Sequence, residues 1–168
     1  MRPAAALRLL MIVSNLTVLA LAADMPLDVS KIIKKSDAEA ALGEPVKDPT
    51  PLNLNSRDGY YSKCNYYSTK STRSLVLRVR QAAEGTIDPQ QEFDQVAASG
   101  GSMKPVEGLG EKAGVFNGTP QNGLPSHVII LYVVKGKSFI MIGLSGIKDE
   151  TAALEKVRTI AEKILGQL

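Results

Sequence analysis

The 168-residue chain is poor in the side chains from which active sites are usually built. It has one cysteine, Cys64, so a disulfide framework is excluded. It has one histidine, His127, at the start of an apolar stretch, and no tryptophan. Structural zinc takes four Cys or His ligands, and the two such residues here are far apart in sequence. No Asp-x-Asp-x-Asp-Gly calcium loop is present. Gly143-Leu144-Ser145-Gly146 is one residue away from a nucleophile elbow and falls at a strand end. Gly108-Leu109-Gly110 with Gly114 lacks dinucleotide-loop spacing, and turn formation accounts for it. No catalytic residue, metal ligand or cofactor is assigned on these grounds. A small hydrolase or transferase with a site assembled from scattered carboxylates is the alternative left open.

Long apolar runs are also scarce, and one stands at the front. Arg2 and Arg8 precede Leu9 to Leu19, an apolar run diluted only by Ser14, Asn15 and Thr17, and Ala20-Leu21-Ala22-Ala23 follows. A basic start, a short apolar stretch and a small-x-small end form the pattern of a cleavable signal peptide, here residues 1–22. The run is shorter than the roughly 20 apolar residues that a spanning helix needs. Ala23 and Asp24 follow the expected cleavage point, with no cysteine there to carry a lipid. The expectation is a secreted or periplasmic protein with no membrane span in its mature part. Cleavage removes Arg2 and Arg8 from 20 basic residues and none from 17 acidic ones, which lowers the net charge from +3 to about +1. Near-neutral charge and export make nucleic acid a poor partner.

Residues 23–35 read as a tether and the start of a domain, and 36–168 as a single domain. Ser36-Asp37-Ala38-Glu39 predicts a capped helix ended by Gly43. Pro49 to Asn55 predicts a loop. Tyr60 to Ser68 and Leu75 to Ala82 predict strands joined by a turn at Ser68–Thr72. Asp88-Pro89 opens a helix, and Val115-Phe116 is a short strand. The sequon Asn117-Gly118-Thr119 falls in a turn-rich stretch. His127 to Val134 and Ser138 to Leu144 flank Lys135-Gly136-Lys137 as a hairpin, nearly apolar throughout and so expected to be covered on both faces. Leu154, Val157, Ala161, Ile164 and Leu168 recur at helical spacing from about Asp149 onward. The fold expected is α+β: an antiparallel sheet of about five to six strands with helices packed against it.

Two motifs carry a family resemblance. Ser36-Asp37-Ala38-Glu39-Ala40-Ala41-Leu42-Gly43-Glu44-Pro45-Val46 resembles the opening helix and Leu-Gly-x-Pro exit of small exported Mog1/PsbP-like domains. Gly108-Leu109-Gly110-Glu111-Lys112-Ala113 is similar to a strand approach in the same domains. That resemblance implies binding or assembly roles and no shared catalytic set.

One stretch departs from ordinary composition. Four of the five tyrosines lie in Tyr60-Tyr61-Ser62-Lys63-Cys64-Asn65-Tyr66-Tyr67. Between Arg57 and Arg80 stand six cations against the single acid Asp58. With Cys64 facing the core, strand alternation sends Tyr61, Lys63, Asn65 and Tyr67 outward, together with Arg78 and Arg80 on the neighbouring strand. Aromatic rings interleaved with cations and an amide suit a glycan, an anionic lipid head group or an envelope protein. The functional expectation is an exported, non-enzymatic binding or accessory module that uses this face. The plainer alternatives are a solvated sheet surface, or a structural envelope component that binds another protein.

Overall fold

The computed structural model describes residues 25–99, 101–118 and 127–168. The expected signal peptide and its cleavage point, and the Asn122-Gly123 turn, lie outside those residues. Seven strands form one sheet: β1 (Leu52–Ser56), β2 (Gly59–Tyr67), β3 (Ser74–Ala82), β4 (Lys104–Pro105), β5 (Lys112–Gly118), β6 (Val128–Lys135) and β7 (Ser138–Ser145). Their order across the sheet is β1-β2-β3-β7-β6-β5-β4, and every neighbouring pair is antiparallel. Helices α1 (Val29–Ile32), α2 (Lys35–Leu42) and α4 (Glu150–Leu165) pack on one face, and α3 (Pro89–Ser99) packs on the other.

The inner face follows from alternation. Leu75, Leu77 and Val79 of β3 lie beside Ile140, Ile142 and Leu144 of β7, all at most 1 % exposed. The α4 stripe of Ala153, Val157, Ile160, Ala161 and Ile164 closes over them. Each large aliphatic chain withdrawn from water there contributes about 1.5–3 kcal/mol. Asp149 caps α4 by accepting the Ala152 N–H at 2.9 Å, and Gly136, at φ +52°, supplies the left-handed turn of the β6–β7 hairpin. Val29 and Ile33 are fully buried and Leu27 is 6 % exposed, so the segment read as a tether and the start of the domain contributes to the core.

Four details differ from expectation. The sheet has seven strands because Leu52–Ser56, read as loop, pairs along β2, and because Lys104–Pro105 adds a two-residue edge to β5. All of β1 is exposed, so burial left no alternating signature in its sequence. Helix α2 starts one residue before Ser36, with Lys34 at the N-cap. There Asp37 accepts the Lys34 N–H at 2.9 Å, while Glu39 turns to the Val46 N–H at 3.3 Å. The β6–β7 hairpin is central, as expected, but only its inner face is fully covered. On the outer face α3 reaches Val134 and Phe139 and leaves the other end open.

Candidate functional site

The strand registers lay out the outer face in rows. One row runs Leu54, Tyr61, Arg80, Phe139, Val134, Lys112 across β1, β2, β3, β7, β6 and β5. The next runs Leu52, Lys63, Arg78, Met141, Tyr132, Gly114, and a third runs Asn65, Val76, Gly143, Ile130, Phe116. The six expected surface residues therefore do share one face. They do not share one environment.

Arg80 corrects the expectation that its side chain points to water. It is on the predicted face, yet only 4 % exposed, because α3 and the segment before it cover that row. Its guanidinium holds Glu92 Oε2 at 2.6–2.7 Å and donates to the carbonyls of Asp58 (3.1 Å) and Ile87 (2.9 Å). Arg80 ties helix, turn and loop to the sheet. Tyr61 next to it is half-buried and donates its hydroxyl to the Asp58 carboxylate. Burial, and then that bond, push its pKa up to about 12. Farther along, Lys112 pairs with Asp94 and lies 4.9 Å above the Phe93 ring. Gly114 leaves room for a side chain on this covered side: a Cβ there would fall 2.5 Å from Met103 Sδ, and the methionine would have to shift.

The uncovered rows differ. Arg78 is exposed and Lys63 half-buried, and the two are direct cross-strand partners. Among the described residues neither forms an ion pair, while nearby Asp58 and Glu92 are engaged by Tyr61 and Arg80. Like charges directly opposite each other destabilise a strand pair. Asn65 donates to the Tyr67 hydroxyl at 3.3 Å, and Tyr67 is 49 % exposed. Four of the six residues, Lys63, Asn65, Tyr67 and Arg78, thus make up the accessible polar surface.

Beside them lies a feature that sequence reasoning missed. Val76, Val128, Ile130 and Met141 surround Gly143 in an open depression of about 220 Å³, bounded at one end by Ser74 and Ser145. Those two hydroxyls satisfy each other at 2.8 Å. Gly143 sits mid-strand in β7, which is paired on both sides. Among the described residues, a Cβ added to it would meet Val76 Cβ at 3.7 Å and the Val76 carbonyl oxygen at 4.0 Å, ordinary contacts. Unlike at Gly114, no contact among the described residues crowds that position, although glycine inside a strand costs roughly 0.5–1 kcal/mol relative to alanine. A glycine inside a strand marks a bulge, a tight bend or a close approach from outside, and the register is unbroken here. A lone glycine in the apolar run Phe139 to Leu144 was the signal that could have located the trough.

The residues singled out for chemistry are placed as follows. Cys64 is 1 % exposed, and burial pushes its thiol pKa up, away from reactive thiolate. His127 is exposed at the start of β6 with φ +58°, and its carbonyl accepts the Gly146 N–H at 3.0 Å. Gly108 and Gly110 take φ +77° and +57° in the turn before β5. Among the described residues no three His, Cys, Asp or Glu side chains group as metal ligands, and no helix is long and apolar enough to cross a membrane. Comparison with known proteins supplies no relative: no protein-family profile, characterised protein or solved structure matches this chain.

Proposed function

We propose that the chain is an exported, non-enzymatic binding module that takes an anionic ligand on the outer sheet face at Lys63 and Arg78. The observation that carries this reading is the cross-strand cation pair with no acid of its own among the described residues. An incoming anion relieves the repulsion between the two and accepts hydrogen bonds from both, which turns a local cost into affinity. Asn65 and Tyr67 add an amide and an exposed ring at the rim. The resemblance to exported Mog1/PsbP-like domains, with their binding and assembly roles, supports a binder over a catalyst.

An NMR titration with a heparin tetrasaccharide as the anionic probe tests the proposal. Amide shifts should cluster on β2 and β3 around Lys63 and Arg78, shrink as salt rises, and vanish in Lys63→Gln/Arg78→Gln. Both side chains reach water, so the double variant should keep its fold. Shifts spread over unrelated surface, or retained in the double variant, overturn it.

A further inference from the structure

We infer that the ligand of this face is a single-chain amphiphilic anion, its acid group on Lys63 and Arg78 and its alkyl chain in the trough over Gly143. This rests on the anion-binding role proposed for the same face and names the chemical class of the ligand. Three observations point to it. First, trough and cation pair adjoin: Arg78 is the register partner of Met141 and lies two residues from Val76 on the same face. From Arg78 to Ser74, four residues at about 3.4 Å per residue give an apolar path of roughly 13 Å, suited to a medium-length chain.

Second, the trough floor offers carbon and nothing else. β3, β7 and β6 are paired on both sides, so their main-chain N–H and C=O groups are committed to the ladder. Among the described residues, the hydroxyls at its end, on Ser74 and Ser145, are bonded to each other. A peptide lying there would bring amide groups that this surface cannot satisfy, each costly to strip of water. An alkyl chain brings none, which favours a lipid-like ligand over an acidic peptide. Third, Gly143 keeps the trough open at a cost in strand stability that no contact among the described residues requires. On the covered half of the same face, by contrast, Met103 and Phe93 fill the space over Gly114.

Calorimetric and NMR titrations with laurate below its micellar concentration test this, with acetate and dodecanol as the head-only and chain-only controls. Laurate should bind at least about tenfold more tightly than either control and shift the amides around Gly143 as well as those around Arg78. Gly143→Val should weaken laurate by about tenfold or more while leaving the melting temperature unchanged or higher, because the new methyls replace the chain. The heparin-tetrasaccharide shifts at Lys63 and Arg78 should survive in that variant. Gly143→Ala, which adds only the Cβ shown to fit, should weaken laurate in the same direction even if the valine variant melts early. Laurate bound equally well by both variants overturns the chain assignment while the anion site stands. Dodecanol bound as tightly as laurate removes the role of the cations. An acidic peptide that outcompetes laurate and ignores Gly143→Val assigns the face to a protein partner instead.

Discussion

Replacing Arg80 by methionine separates its role from that of Arg78, two residues away on the same face. Methionine keeps most of the unbranched stem and removes only the guanidinium. Breaking a buried ion pair by deleting one member costs about 3–5 kcal/mol. Two features of the surroundings lower that figure. Glu92 is 28 % exposed and can recover water, and the Asp58 carbonyl retains the Ala83 N–H at 3.2 Å. The Ile87 carbonyl loses the Arg80 N–H that it receives at 2.9 Å. The expected loss is therefore about 2–3 kcal/mol, read as a urea midpoint shift or a fall of roughly 10 °C in melting temperature. Arg78→Met, at an exposed site, should stay within about 0.5 kcal/mol of the parent. Glu92→Gln combined with Arg80→Met should show a coupling of about 1 kcal/mol or more. A loss below about 1 kcal/mol for Arg80→Met, or equal losses at both arginines, would refute the assignment of Arg80 as the tie between α3 and the sheet.

Two further outcomes follow from buried or paired groups. Cys64 should be inert to an aromatic disulfide reagent in the folded protein and react fully in urea; fast native labelling would contradict its burial. At Asp37, burial opposes the charge, but Lys163 at 2.5 Å and the Lys34 N–H outweigh it and hold the carboxyl below its usual value. The folded state thus binds fewer protons than the unfolded one between the two pKa values, so the charge stabilises above about pH 4 and that contribution fades as pH falls through the folded value. Asp37→Asn should cost about 0.5–1 kcal/mol near neutrality, a figure kept small by solvent screening, and the parent and variant curves should converge in acid. A gap that persists or widens in acid would rule out the charge as its source.

Periodicity made most of the fold legible. β3 alternates because helices bury one of its faces, and α4 carries a stripe because it covers that face. β1 escaped because an exposed edge strand has no buried side to mark it, and its asparagines read as loop. The outer site was half legible. Alternation placed Lys63, Asn65, Tyr67, Arg78 and Arg80 on one face, but alternation fixes direction and says nothing of what lies above a side chain. Whether α3 lands over Arg80 or over Arg78 depends on the path of the 83–88 connection, a long-range matter with no local trace. The trough was hidden for the opposite reason. Valine, isoleucine and methionine on a half-covered surface have the same composition as a core.

What favours a binding role for this face is where the sequence breaks the rules that it keeps elsewhere. Most unusual residues in the sheet have an internal reason. Gly114 makes room for Met103, Arg80 is satisfied by three groups, and buried Ser62 donates to Asn53 and accepts the Val29 N–H. Lys63 opposite Arg78, and Gly143 in the middle of β7, have none among the described residues: each lowers stability, and no contact there compensates. Locally inconsistent choices in a sequence that is otherwise consistent concentrate where function overrides folding. The two departures occupy adjoining rows, the cation pair on β2 and β3 and the glycine on the next strand, β7, on the half of the sheet that α3 leaves open. One adds unpaired positive charge and the other removes a side chain from an apolar floor. A ligand with an acid at one end and a chain at the other accounts for both at once, whereas a solvated surface requires two unrelated costs to fall side by side.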